Sequence, residues 1–543
     1  MWVNSIAITN FRSIEELSLT PTRGINTLVG ENNVGKSAIF VAISKALALI
    51  RGETGVFGEN DLRHGSLGNG LVVKCTVQLD QHEQAQLVTA LLPQPLTPGD
   101  TAKIQQRFGA ALGNPEMTFE WREGFIGSYV KLGSVVVQQD FLSRHAPRSR
   151  QRERTGGDLP RLVERLLSPD DSLEIIMESV DRWKIGDGFR RVGKMLSQQF
   201  RTFAEFRSRP VLGRSQATES FEGTETASVL LNLKNHTAPI QRRRYATICR
   251  EFSSFFPFLN IDAVEVTPGS GNADVQFMEV GHTFPIPLSN VGAGLAEMLT
   301  LLTNLVGRDG YVFVVEEPEL HLHPNAKRRL HQLIRASATR NQIFVITHDP
   351  YFVDPDHLDS LTRFWITDAG TQKAPIGNEL SQTELGKLKT ALKDMAKREM
   401  VFARALLLVE DESQQKLLLG FASTLQYDLD SNGVCVVSVD GEDAFPPFIK
   451  LVEQFRIPHI CLRDKDWGSP KSRPPDHFRA LGCELEEFLD NAGLGPLMEN
   501  AKTKVGKSKP RVAQYVGENA SVDQIPLLFR ELLADAVKLV ENR

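Results

Sequence analysis

The stretch TLVGENNVGKSAIFVAISKALALI, Thr27–Ile50, decides the fold of the chain's first half. A short apolar strand over Thr27–Val29 runs into the loop GENNVGKS, Gly30–Ser37, and the apolar run Ala38–Ile50 that follows reads as a helix. The loop fits G-x-x-x-x-G-K-S at every fixed position. In such a loop backbone N–H groups turn inward on phosphate, and the N-terminus of the next helix adds a partial positive charge. The flanking strand and helix raise the pattern from a glycine-rich turn to a nucleotide site. On this reading Gly30, Asn33 and Gly35 shape the cradle, Lys36 reaches the β- and γ-phosphates of ATP, and Ser37 ligates Mg²⁺.

Upstream of the loop, Ile6 and Ile8, then Leu17 and Leu19, alternate as short strands do. The second half of a nucleotide site comes far downstream. The apolar run Val312–Val315 ends in Glu316 and Glu317, within EEPELHLHP. A buried strand that delivers two carboxylates is more specific than a surface acidic pair. Glu316 is expected to hold Mg²⁺ through water, and Glu317 to polarise the water that attacks the γ-phosphate. The strand IFVIT leads into His348, which is placed to sense that phosphate; His321 and His323 have no third ligand in view and read as loop packing. Strands are also expected over Ile261–Val266 and Ala273–Glu279, with a helix from Pro324. Between Phe141 and Arg250 strand signals thin out, and segments such as LPRLVERLL and SLEIIMESVDRW carry helical periodicity, so a helical insertion is expected.

After a polar linker, Asp368–Thr383, a separate α/β pattern begins with ALLLVE, VCVVSVD and HICLRDKD as strands divided by helical stretches. Short continuous apolar strands of this kind predict a mostly parallel sheet covered on both faces. Such strands present their C-terminal ends on one edge, so Glu410, Asp464 and Asp466 can converge there. A D-x-D pair leaving a strand suits a hard divalent cation, Mg²⁺ or Mn²⁺, with all-oxygen ligation. Two such ions would clamp the attacking and leaving oxygens of a phosphodiester. GCELEEFLD adds Glu484, Glu486 and Glu487 on an expected helix, and KTKVGKSKPR adds a dense cationic run.

At 543 residues the chain is several times the usual single-domain size, which implies two to four domains. Its 41% hydrophobic and 24% charged residues exclude a disordered or fibrous chain. A net charge of −5 gives no global field toward nucleic acid or membrane, so any basic surface is local. The local basic runs are Arg144–Arg165, Arg242–Arg244 and Lys502–Arg511, with Lys471 and Arg473 soon after the D-x-D strand. Those near the acids matter most, because a phosphate backbone needs neutralising where it is cut. Cys75, Cys249, Cys435, Cys461 and Cys483 form no CxxC pair, against a disulfide framework or a cysteine zinc site. Neither a signal-peptide layout nor an apolar run of membrane-spanning length is present, so a cytoplasmic protein with no membrane association is expected.

The order ITNFRSI (Ile8–Ile14), GENNVGKS, LSNVGAGLAEM (Leu288–Met298), EEPELHLHP and ITHD resembles the ABC ATPase heads of the SMC and RecF type. In that family the signature motif of one protomer completes the ATP site of the other. The resemblance therefore implies that Ser289, Gly292 and Gly294 contact ATP across a dimer and that Arg12 lies near the nucleotide. Many ABC proteins carry Asp where this chain has Glu316. The C-terminal half resembles the Toprim fold of topoisomerases, primases and nucleases, and a head followed by Toprim in one chain resembles the OLD (overcoming lysogenization defect) nucleases. That resemblance implies metal binding by Glu410, Asp464 and Asp466, a second metal position completed by Glu486 or Glu487, and charge stabilisation on the scissile phosphate by Lys509. The Toprim pattern VEGxxE departs here: Asp411 replaces the Gly and Gln414 the second Glu, which leaves one metal position short of a negative charge.

The expected fold class is α/β. An ABC-type ATPase head spans 1–145 and 251–385, a helical insertion at 146–250 is expected to serve dimerisation, and a Rossmann-like Toprim nuclease domain follows at 386–543. The expected function is an ATP-binding and ATP-hydrolysing, divalent-metal-dependent DNA endonuclease, acting as a homodimer or higher homo-oligomer. The resemblance further implies bacterial anti-phage defence and a defence-system partner protein. One alternative is a DNA-binding ATPase sensor or scaffold with a weak Toprim domain and a partner effector. A topoisomerase is disfavoured, because none of the six Tyr lies in a recognisable cleavage domain.

Overall fold

The computed structural model describes residues 1–51, 56–63, 70–80, 116–122, 125–132, 135–140, 186–203, 223–265, 273–282, 284–287, 290–320, 322–376, 380–464 and 477–541, with a few single positions between. The chain divides into two compact units. The first comprises Met1–Leu28, Asn32–Thr347 and Phe364–Gln372; the second comprises Val29–Glu31, His348–Arg363 and Lys373–Arg543.

In the first unit β1 (Trp2–Phe11) and β2 (Ile14–Leu19) form a hairpin, with Phe11 opposite Ile14. β3 (Ile25–Gly30) leads into the phosphate loop and α1 (Lys36–Ile50) leaves it. β4 (Leu71–Gln78) alternates buried and half-buried residues and lies antiparallel on the other side of β1. β5 (Glu116–Arg122), β6 (Phe125–Leu132) and β7 (Val135–Asp140) extend this into a six-stranded antiparallel sheet, β2-β1-β4-β5-β6-β7.

The next elements are α2 (Gly186–Gln199), β8 (Phe200–Phe203), α3 (Gly223–Asn235) and α4 (Pro239–Phe255). β9 (Leu259–Glu265), β10 (Ala273–Glu279) and β11 (Ile286–Pro287) make a small antiparallel sheet. Then come α5 (Ala293–Gly307), β12 (Val312–Glu316), α6 (Pro324–Ala338), β13 (Gln342–Ile346), β14 (Leu361–Thr367) and β15 (Gly370–Pro375). The second sheet has the order β15-β14-β3-β13-β12-β8. Its strands β3, β13, β12 and β8 are parallel, so their C-terminal ends share one edge. α1 covers this sheet through Ile39, Phe40 and Ile43, and the Phe40 ring lies 4.9 Å from that of Phe344. Each such fully buried side chain contributes about 1.5–3 kcal/mol.

Two expectations need correction. The segment 146–250 is helical at α2, α3 and most of α4, but it also supplies β8, which pairs with β12 at Val312↔Phe200 and Val315↔Phe203. FRTF is too short to announce itself by periodicity, and it follows α2 without a break. Within the expected linker Asp368–Thr383, Gly370–Pro375 forms β15, an edge strand; polar side chains at an edge do not read as a strand.

The second unit contains α7 (Gln382–Ala391), opened by a Ser381/Glu384 capping box. β16 (Ala405–Val409), α8 (Glu412–Thr424), β17 (Val434–Ser438), α9 (Phe445–Gln454), β18 (His459–Arg463) and β19 (Phe478–Ala480) follow. The chain ends in α10 (Leu485–Leu489), α11 (Gly495–Val505), α12 (Lys509–Asn519) and α13 (Leu527–Glu541). Its sheet, β17-β16-β18-β19, is wholly parallel. Successive residues of a strand face opposite sides, and both sides of β16 are buried. Ala405, Leu407 and Val409 join a core with Phe421, Val516 and Phe529; Leu406 and Leu408 join another with Phe445, Phe448 and Leu451.

Buried Arg363 donates to the carbonyls of Val401, Ala403 and Phe455. α8 and α12 meet at two glycines: a Cβ on Gly420 would stand 2.5 Å from the Gly517 carbonyl carbon. No helix among the described residues is long and apolar enough to cross a membrane.

Candidate nucleotide and metal sites

The phosphate loop is built on left-handed backbone at Gly30 (φ 137°), Asn33 (φ 62°) and Gly35 (φ 96°). Gly35 is required twice over. Its φ disfavours a side chain, and a Cβ would lie 2.4 Å from Thr371 Oγ1 and 2.6 Å from Ser13 Oγ. Lys36, the first residue of α1, is buried, and Ser37 is half-buried. Two strands over, Glu316 ends β12, and Glu317 follows at φ 46°. Left-handed backbone at such a residue costs on the order of 1–3 kcal/mol. The 2.7 Å hydrogen bond from Glu317 N–H to the Ile346 carbonyl of β13 holds it there.

The structure places the other expected nucleotide residues as follows. Arg12 is committed to Asp61: its guanidinium donates twice to Oδ1 (3.1 and 3.0 Å), and Lys45 donates to Oδ2 (2.6 Å). Burial on its own would raise the Asp61 carboxyl, but Lys45 and the Gly58 N–H outweigh it and hold the group below its ordinary range. Gly292 caps α5, and Gly292 and Gly294 are exposed, with no atom of the described residues within 4 Å of where a Cβ would stand. Ser289 and His321 lie outside the described residues. His323 is the N-cap residue of α6, and the His348 ring sits 6.5 Å from that of Phe402.

At the C-terminal edge of the second unit's sheet, Glu410 follows β16 and Asp464 follows β18. Parallel pairing of these strands brings them together, and Asp464 N–H donates to Glu410 Oε2 at 3.0 Å. Gln414 joins the two. Its Oε1 accepts from Glu410 N–H (2.9 Å), and its Nε2 donates to Asp464 Oδ1 (2.5 Å). Gln414 is fully buried, and Asp411, which caps α8, accepts its backbone N–H at 2.9 Å. Burial pushes the Asp464 carboxyl up to about 6; the Gln414 amide opposes the rise, while Glu410, Asp411 and Glu484 add to it.

Lys509 begins α12 and pairs with Glu486 (3.0 Å) and, more loosely, with Glu484 (3.9 Å); Glu486 above all raises its pKa. Glu487 is exposed. No three of these carboxyl groups bring oxygens within 4.8 Å of one another among the described residues, and Asp466 lies outside them. An all-oxygen set with accumulated negative charge nonetheless fits a hard divalent ion.

Read along the chain, Gln414 is an uncharged substitute for an acid, and its bridge between the two carboxylates comes only with the fold. Its place four residues beyond a strand-end acid, with an N-cap Asp between, is the signal that could have found it. Of the basic runs, Arg144–Arg165, Lys471 and Arg473 lie outside the described residues. Arg242 donates to the His236 and Thr237 carbonyls, Arg244 pairs with Asp309, Lys502 pairs with Glu499 and Lys504 donates to Tyr515. Those four side chains are engaged within the chain.

Comparison with known proteins matches three family models. An AAA ATPase domain model matches residues 1–51, and an AAA domain model described with the AbiEii toxin of type IV toxin–antitoxin systems matches 124–354. The TOPRIM domain of overcoming-lysogenization-defect-like proteins matches 401–466. The OLD nuclease of Thermus scotoductus is 25% identical over 243 residues, 40% of this chain and 45% of that protein. Endonuclease GajA of Bacillus cereus is 23% identical over 350 residues, 59% of this chain and 55% of that one. The matches thus span about half the length of these curated relatives. The solved C-terminal region of the Burkholderia pseudomallei OLD protein is 25% identical and covers 26% of this chain and 99% of that one, at a TM-score of 0.23.

Proposed function

We propose, from the premise that this chain joins an AAA-type ATPase domain to an OLD-like Toprim domain, that it is an ATP-controlled, divalent-metal-dependent DNA endonuclease. The observation that carries the nuclease half is the Glu410–Asp464 pair locked by Gln414 at a parallel-sheet edge. Glu410 and Asp464, with Asp466, would hold Mg²⁺ or Mn²⁺, which when bound supplies a Lewis acid and an activated water at the phosphodiester. Gln414 orients both acids and adds no charge of its own. Glu486 or Glu487 is the proposed second metal position, and Lys509, kept protonated by Glu486, offsets charge on the scissile phosphate.

In the head, Gly30, Asn33 and Gly35 set the phosphate cradle, Lys36 meets the β- and γ-phosphates, and Ser37 with Glu316 holds Mg²⁺. Glu317 polarises the attacking water and His348 senses the γ-phosphate. Gly292 and Gly294, with Ser289, serve the ATP site of a second copy, and this role accounts for two exposed glycines that no contact among the described residues requires. Arg12 supports the head through Asp61. The segment 146–250 as a dimerisation region, anti-phage defence and a defence-system partner protein are proposed beside the OLD resemblance, and the cytoplasmic setting is proposed on the sequence layout alone.

The sensor or scaffold reading draws on the neutral Gln414 and on the Lys509–Glu486 pair. One assay separates the two: plasmid cleavage with Mg²⁺ or Mn²⁺ by the wild type, Asp464→Ala and Lys36→Ala. The expected result is cleavage by the wild type, a loss upward of about a hundredfold in Asp464→Ala, and no ATP turnover in Lys36→Ala. A wild type with ATPase activity and no cleavage supports the scaffold; cleavage untouched by Asp464→Ala refutes the site.

A further inference from the structure

The second unit carries another group of metal-binding side chains, at the start of β18. His459 opens that strand, His477 directly precedes β19, and Glu453 lies near the end of α9. One ligand atom from each lies within 4.8 Å of the other two, the one such group of three or more among the described residues. The backbone fixes the arrangement, because Cys461 N–H donates to the His477 carbonyl at 2.8 Å and so draws His477 alongside β18. The two imidazole rings lie 4.6 Å apart, edge to face.

Hydrogen bonding sets the tautomer of His459. Its Nδ1 is 3.2 Å from the Ile457 carbonyl, which can only accept, so Nδ1 carries the proton and Nε2 presents a lone pair. A ligating histidine commonly holds its other nitrogen to a carbonyl in this way. Nε2 of His459 and Nε2 of His477 are both shut off from solvent, and neither has a hydrogen-bond partner among the described residues. Leaving such an atom unsatisfied costs about 1–3 kcal/mol. Glu453 is exposed, so the group opens to solvent on the carboxylate side.

We propose that Glu453, His459 and His477 form a binding site for one divalent transition-metal ion, zinc in the first instance. Two imidazoles and a carboxylate are a borderline-soft donor set that favours zinc, cobalt or nickel over magnesium, and a fourth position stays open for water. Zinc–ligand bonds of about 2.1 Å require the three atoms to draw closer, a movement within reach of the exposed Glu453 side chain. The site is distinct from the nuclease acids: a five-residue strand separates His459 from Asp464, about 16 Å along β18. Its role is structural. The ion ties α9 and β18 to the three-residue edge strand β19, and fixes the point where the chain that carries Asp466, Lys471 and Arg473 rejoins the sheet.

The test is calorimetric titration of the EDTA-stripped full chain with Zn²⁺, comparing the wild type with His459→Gln/His477→Gln and with Glu453→Gln. Expected is one zinc equivalent per chain that weakens more than about 100-fold in the double variant and at least about 10-fold in Glu453→Gln. A zinc-dependent rise in melting temperature should vanish in parallel, while the Mg²⁺-dependent rise persists. Wild type that binds no more zinc than the double variant overturns the proposal, whatever the nuclease assay gives; two imidazoles bridged by a water would behave so. Should the double variant fail to fold, Glu453→Gln decides, and an unchanged zinc affinity there overturns the proposal equally.

Discussion

Burial, with Glu410, Asp411 and Glu484 nearby, lifts Asp464 from an ordinary 3.8 to about 6, so the fold penalises its ionised form. A carboxyl whose folded pKa is raised contributes stability that is complete below its unfolded value and lost as pH climbs through the folded one. Metal-free wild type should therefore lose more melting temperature than Asp464→Asn between about pH 4 and about pH 7, and Mg²⁺ should restore it in the wild type only. Parallel melting curves for the two proteins would contradict this. Cleavage should rise through the same interval, since the ionised carboxylate is the form that takes a cation. Gln414→Leu would strand the Glu410 N–H and the Asp464 carboxylate, with an expected loss of about 1–3 kcal/mol in denaturant unfolding. Sequence patterning counts Gln414 as a missing acid. Its bridging role depends on β16 and β18 being neighbours in register, a fact that spacing along the chain does not contain.

The α8–α12 crossing shows what one missing side chain does for two elements. A Cβ on Gly517 would meet the Leu417 carbonyl oxygen at 2.7 Å and Gly420 Cα at 3.1 Å, mostly unyielding backbone. Gly517→Ala should destabilise the second unit by about 1–3 kcal/mol. It should also lower cleavage while leaving ATP turnover intact, because Lys509 begins the displaced helix. Full cleavage in a folded Gly517→Ala protein would show that the lysine's placement does not depend on the crossing. The strands legible in sequence include largely apolar runs, such as Val312–Glu316, Gln342–Ile346 and Ala405–Val409, and alternating ones, such as Ile14–Leu19 and Ala273–Glu279. Two edge strands were lost: Gly370–Pro375 is polar, and Phe200–Phe203 is four residues long.

For the molecule as a whole, a head followed by a parallel α/β unit was legible. Boundaries drawn at 145, 250 and 385 follow the texture of the chain, whereas the compact units exchange short pieces such as Val29–Glu31 and Phe364–Gln372. Compactness follows contacts made in space. The proposed dimer is testable at this scale. With ATP, Glu317→Gln should form a dimer by light scattering, and adding Gly294→Asp should abolish it without lowering the melting temperature, since nothing crowds that position. ATP-independent mass in both variants would refute the shared site. The pairing of β3 with β13 has a further consequence, for biosynthesis. Ile25 lies beside Ile343, so the strand behind the phosphate loop has no partner on this side until the ribosome has passed Ile346. Local contacts form early and such distant ones late. A nascent or truncated chain can thus display the whole GENNVGKS sequence and still have no nucleotide site. The head becomes able to hold ATP only after its last parallel strand has been made.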